Sequence, residues 1–133
     1  MRVAPDPSTD PSGFLPLPAS AMYILTSLGD GPSHGYRIMT TVEELSGGSV
    51  RLGPGTLYGS LKRMVGQGLI EEVEERPAPE LDDERRRYYQ LTALGLQVAT
   101  AELERIATLA TAARHRLRPA SVELTPPVLG FAL

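Results

Sequence analysis

Apolar residues recur at helical spacing in four stretches and alternate in one paired region. Leu17, Ala21, Ile24, Leu25 and Leu28 share one face of a first helix. Pro18 suits its first turn, where no backbone N–H is needed, and "GDGPS" ends it. Ser33 is a candidate N-cap for a second helix, "HGYRIMTTVEEL", with Ile38, Val42 and Leu45 as its buried stripe. "SGG" closes that helix, and "SVRL" reads as a short extended piece. Pro54 opens a third helix, and Gly68 is placed to close it. "LIEEVEE" and "RRRYYQL", joined by "RPAPELDDE", predict a β-hairpin. Thr92 can cap a last helix running from Ala93 to about Leu117.

This order predicts a mainly α fold with a β-hairpin wing: a winged helix-turn-helix followed by a long C-terminal dimerisation helix. Residues 1–16 hold four of the twelve prolines and read as a flexible arm. Residues 17–91 form the winged domain, 92–117 the dimerisation helix and 118–133 a proline-interrupted tail.

The third helix carries an unusual face. At about 100° per residue, Leu57, Leu61, Met64 and Val65 gather on the buried side. Gly55, Gly59, Lys62 and Gly66 gather opposite, flanked by Thr56 and Arg63. Glycine in a helix costs roughly 1 kcal/mol relative to alanine, so this composition calls for a reason. A bare, basic face lets a helix backbone come close to something large and negative. In a helix-turn-helix the third helix enters the DNA major groove. The bland alternative is a glycine-rich chain with an ordinary solvated Lys-Arg pair.

The last helix repeats Leu96, Ala99, Leu103, Ile106, Ala110, Ala113 and Leu117 at spacings of three and four, the pattern of a coiled-coil seam. Leu94, Val98 and Ala101 offer a neighbouring surface for packing on its own domain. At 1.5 Å per residue the helix runs roughly 35–40 Å, longer than a small domain needs. A homodimer is the preferred reading. Glu102 and Glu104 lie towards its start, and Arg114, Arg116 and Arg118 at its end, in keeping with helix polarity.

Composition narrows the chemistry. With 133 residues the chain fits one domain with a modest core. It has no cysteine, which excludes disulfides, thiolate metal sites and a cysteine nucleophile. His34 and His115 alone make no metal site, so neither a metal nor a cofactor is expected. No nucleophile–base pair, phosphate loop or metal spacing points to an enzyme. No apolar run reaches signal-peptide or membrane-spanning length, which places the chain in the cytoplasm with no membrane partner. The net charge of −3 argues mildly against non-specific DNA binding, although charge placement outweighs the sum.

"HGYRI", then "GTLYGSLKRMVGQGLIEE", then "RRRYYQLTALG" resembles the PadR family of bacterial transcriptional regulators. The strongest elements are His34-Gly35-Tyr36, Thr56-Leu57-Tyr58 with Leu61-Lys62-Arg63, Gly68-Leu69-Ile70, and Tyr88-Tyr89 leading to Leu91-Thr92 and Gly95. The resemblance spans roughly residues 17–117 and implies a homodimeric winged-helix protein, usually a repressor, with a helical dimerisation segment after the wing. Its partners would be double-stranded operator DNA, pseudo-palindromic to match a twofold dimer, a second copy of the chain, and a small-molecule effector of unidentified chemistry. Gly59, and Asp82-Asp83-Glu84 in the wing, depart from the family's pattern.

Further candidates surround the recognition helix. Ser33, His34 and Tyr36 begin the second helix, whose free N–H groups can meet a phosphate; capping by Ser33 and turn hydrogen bonding by His34 are the plainer roles. Tyr58 can offer its hydroxyl to a phosphate or pack at the core edge. Arg85-Arg86-Arg87 lies at the foot of the wing, with phosphate or minor-groove contact, carried by Arg86 and Arg87, or local neutralisation by Asp82, Asp83 and Glu84 as alternatives; alternation keeps all three arginines from facing DNA at once. Of Tyr88 and Tyr89, alternation sends one to the core. A winged-helix module that binds protein and no longer binds DNA is the rival reading, favoured by the acidic run at Glu71-Glu72 and Glu74-Glu75.

Overall fold

The computed structural model describes residues 10–73 and 87–118. A single 3-10 turn, Pro11–Phe14, precedes α1 (Ala19–Ser27), β1 (Ser33–His34), α2 (Gly35–Leu45) and α3 (Pro54–Gly66). β2 (Ile70–Val73), β3 (Tyr88–Leu91) and α4 (Ala93–Arg116) follow. The strands form an antiparallel sheet in the order β1-β3-β2. Ser33 pairs with Tyr89 and His34 with Tyr88 on one side of β3, while Ile70 through Val73 pair with Leu91 through Tyr88 on the other. The fold is mainly helical with a small β-wing, as the apolar pattern predicts.

The core draws on every layer. Ile24, Leu25 and Leu28 of α1 meet Ile38 and Val42 of α2, and Leu57, Leu61 and Met64 of α3. Leu69, Ile70 and Tyr89 close it from the sheet, and Leu94 and Val98 from α4. Tyr89 is the core tyrosine; burial, with the Glu72 carboxylate nearby, pushes its phenol up.

α3 ends in a Schellman turn. Gly68 takes φ +78°, a left-handed conformation that glycine adopts at no steric cost. The Leu69 N–H then donates to the Met64 carbonyl and the Gly68 N–H to the Val65 carbonyl, each at 3.0 Å. The Leu69 carbonyl in turn accepts the Thr92 N–H at 3.1 Å, and the Thr92 hydroxyl accepts the Gly95 N–H at 2.9 Å as the α4 cap. A Cβ at Gly95 would overlap the Leu69 carbonyl, so the bare Cα lets the start of α4 rest directly on the exit of α3.

Several sequence expectations shift. "SVRL" forms no strand; the third strand is Ser33–His34, which exists only because Tyr88 and Tyr89 pair with it. Ser33 is therefore a buried strand residue, and the α2 cap is His34, whose Nδ1 accepts the Arg37 N–H at 3.2 Å. Val65, expected in the buried stripe, is 39% exposed, and its place in the interior goes to Ser60. Residues 10–17, assigned to the loose arm and the start of the first helix, form a docked turn. The Asp10 carboxylate caps that turn by accepting the Ser12 N–H at 2.9 Å, which holds its carboxyl below the usual range. Phe14, Leu15 and Leu17 pack against the core.

Glu102 anchors that turn. It is a carboxylate only 2% exposed, and it accepts the Leu17 N–H at 3.2 Å across 85 residues of sequence. Arg105 grips it with two hydrogen bonds, Nε to Oε1 at 2.6 Å and Nη2 to Oε2 at 2.9 Å. The fork from Arg105, helped by the Leu17 amide, holds the Glu102 carboxyl below its ordinary 4.5 despite its burial. The folded chain therefore takes up that proton less readily than the unfolded one. The stabilisation is full above about pH 4.5 and is lost as pH falls through the lowered value. Glu102→Gln removes this component. Urea unfolding of E102Q should weaken less than wild type between about pH 6 and about pH 3, and equal acid sensitivity in the two proteins would show that Glu102 is unlinked to stability.

Candidate nucleic-acid interface

The exposed side of α3 carries Gly55, Thr56, Gly59, Lys62, Arg63 and Gly66. A Cβ placed on Gly55, Gly59 or Gly66 would meet nothing within 4 Å, so no internal packing explains these glycines. Among the described residues, Lys62, Arg63 and Arg37 have no acidic group within 4 Å. The helix thus presents a backbone lined by small residues next to two unneutralised cations.

The start of α2 lies against this helix. The Tyr58 ring from α3 covers Gly35, where any Cβ would overlap the phenol hydroxyl and ring. Tyr58 remains 39% exposed and Tyr36, next to Gly35, is 69% exposed. His34 caps α2 while its ring stands edge-on to Tyr88, with centroids 5.4 Å apart. Arg87 immediately precedes Tyr88, so the foot of the wing joins the same neighbourhood. The strand pairing and the Tyr58–Gly35 contact therefore gather His34, Tyr36, Tyr58 and Arg87 around the N-terminus of α2. Ser33 is buried among them and offers no surface.

Electrostatically the cluster is mixed. Arg87 lies 3.7 Å from Glu72, and both side chains are about half exposed. Such a pair contributes little and yields readily to a stronger anion. Arg86 and the acidic wing residues Asp82, Asp83 and Glu84 fall outside the described residues.

The proposed seam residues divide by position on α4. Leu96, Leu103, Ile106 and Leu117 are exposed, while Ala99, Ala110 and Ala113 are partly covered. Leu109, which the sequence reading left out, is exposed among them. Leu94, Val98 and Glu102 face the domain instead. Among the described residues no helix is long and apolar enough to cross a membrane.

The family model described as "Transcriptional regulator PadR-like family" matches residues 24–101, more than half of the chain. The chain belongs to the PadR-like family of transcriptional regulators. A PadR family transcription regulator from Clostridium difficile R20291 superposes with a TM-score of 0.60 at 25% identity, covering 75% of this chain and 99% of that one. RosR of H. salinarum gives 0.58 at 30% identity, covering 78% and 89%. An uncharacterised 37.1 kDa protein in transposon TN4556 of Streptomyces fradiae is 39% identical over 88 residues. That match takes in 66% of this chain and only 23% of the transposon protein. The PadR-like match begins inside α1 and ends inside α4, so it contains the whole α2–α3–wing arrangement.

Gly35 gives this PadR-like site a direct test. Tyr58 is a partly exposed side chain that can swing away, so Gly35→Ala should change stability by no more than about 1 kcal/mol. It should nevertheless displace the phenol and, where Tyr58 contacts DNA as the sequence suggests, reduce duplex binding as far as Tyr58→Ala does. Melting curves and binding titrations of the two single variants and the double variant check this. Additive losses in the double variant would show that Gly35 and Tyr58 act separately.

Proposed function

We propose that the chain acts as a homodimeric, sequence-specific DNA-binding regulator in the cytoplasm, repressing transcription until a small-molecule effector releases it. The observation that carries this reading is the α3 face, where three glycines with open space beside them adjoin Lys62 and Arg63. A groove-entering helix gains from such a face because the backbone approaches base edges closely and the cations meet phosphate or guanine. Tyr36, Tyr58 and the α2 N-terminus supply phosphate contacts beside it, and Arg86 and Arg87 supply them from the wing.

The exposed Leu103, Ile106 and Leu109 on a helix of 24 residues support self-association through α4. Two copies joined there would present two α3 helices to a pseudo-palindromic operator. An effector preferring one inter-subunit arrangement would change the spacing of the two helices and hence the affinity. The chain's task is binding, not catalysis.

The Arg87–Glu72 pair favours a second reading, a protein-interaction module whose wing is already neutralised. Selection of bound sequences from random duplex DNA by the purified chain distinguishes the two. Enrichment of a half-site motif is expected, and its absence at low salt would favour the protein-binding module.

The basic residues should separate by role. Arg63→Ala should relax preference at one position of each half-site and cost on the order of 1–3 kcal/mol against the cognate site. Arg86→Ala with Arg87→Ala should lower the salt slope of log K by about 1 per lost phosphate contact and leave base preference intact. A double variant with the wild-type slope and affinity would make those arginines structural.

The dimer is tested at Ile106, which is 41% exposed in the single chain. Ile106→Asp should leave the winged domain folded but sediment as a monomer, because a buried unpaired carboxylate opposes the interface. Sedimentation as an intact dimer would remove this stripe as the main contact.

A further inference from the structure

A concavity lies beside the C-terminal half of α3. The docked 3-10 turn, the start of α1 and the C-terminal half of α3 enclose a cavity of about 360 Å³. Phe14, Leu17, Met64 and Leu69 give it apolar walls. Four polar side chains interrupt them, Ser20, Ser60, Arg63 and Gln67. Ser60 is 9% exposed, and among the described residues its hydroxyl has no hydrogen-bond partner. Helical serines commonly bond the carbonyl one turn back, as Thr26 and Thr40 do here with their own helices. A buried hydroxyl left without a partner costs free energy that a ligand's acceptor would recover. Arg63 is likewise without an acidic partner among the described residues. The cavity wall thus mixes apolar and polar surface, with an unpartnered hydroxyl and a cation on the α3 side that can orient a ligand.

We propose that this cavity binds a small apolar anion, an aliphatic body carrying one carboxylate, with the acid held by Arg63 and the Ser60 hydroxyl. The body displaces water from the partly exposed Phe14, Leu17 and Ala21 side of the wall. Because Arg63 also serves the groove face in the DNA-binding reading above, on which this consequence rests, the bound acid withdraws that cation from DNA. Ligand and duplex then compete for one side chain, and each lowers the affinity of the other by the same factor.

Octanoate is a suitable probe, with octanol and octylamine as neutral and cationic controls. Titration calorimetry on the full chain without DNA tests the site by itself. Octanoate should bind at least tenfold more tightly than octanol, with octylamine weakest. Arg63→Gln should erase the preference for octanoate over octanol, and Ser60→Ala should weaken octanoate several-fold while the protein stays folded. No octanoate binding, equal affinity for the three probes, or unchanged selectivity in R63Q would overturn the site. In the second arm, octanoate should weaken duplex binding by wild type, and S60A should need several-fold more of it for the same release. Octanoate binding with undiminished duplex affinity overturns the competition. A chain that binds octanoate with the stated selectivity but no duplex upholds the site and refutes the DNA-binding reading.

Discussion

The whole arrangement hangs on the contact between Leu69 and the start of α4. The Leu69 carbonyl accepts the Thr92 N–H while Gly95 presses against the same peptide group without a side chain between them. The residue before it, Gly68, turns the chain out of α3, and the residue after it begins β2. α3, the wing and α4 therefore share one joint of a few residues. Buried backbone polar groups are satisfied there by one another, which leaves little freedom for any of the three to move alone. A rotation of α4 about this joint would reach α3 and β2 together, which is the route by which a change at the proposed dimer contact would reach the basic face.

The basic face owes its shape to what is missing from it. Core packing fixes α3 through Leu57, Leu61 and Met64, so the opposite side is free of structural duties. Glycines there weaken the helix intrinsically, and the core contacts on the other side offset that weakness. The neighbouring α2 is held by the Tyr58 ring on Gly35 and by the two-residue strand paired with β3.

Much of this was legible in the sequence, for reasons particular to each element. The period of α3 separates Leu57, Leu61 and Met64 from the glycines because a two-sided helix repeats its environment every turn. Thr92 as a cap and Gly68 as a terminator are local effects with local signals. Ser33–His34 carries no such signal, since two residues become a strand only when Tyr88 and Tyr89 arrive beside them. The cap moved from Ser33 to His34 for the same reason. Ser60 lies inside and Val65 outside, a difference in the facing of α3 that the apolar spacing alone did not separate. Glu102 with Arg105 reads as a solvated i,i+3 pair; its burial depends on Leu17, far away in the chain. The faces of single helices were readable, and the contacts that join distant segments were not.

The Leu17–Glu102 hydrogen bond bears on where this domain can be cut. The segment that the family model spans, 24–101, is the natural choice for a minimal fragment. It would discard both partners of that bond, shorten α1 by more than half and end α4 just before its buried carboxylate. The walls contributed by Phe14 and Leu17 would go as well, baring Met64 and Leu69 to water. A fragment of that length would keep α3 but lose the Leu17–Glu102 bond and the docked turn, so a fragment meant to fold on its own should extend past both ends of the family-model match.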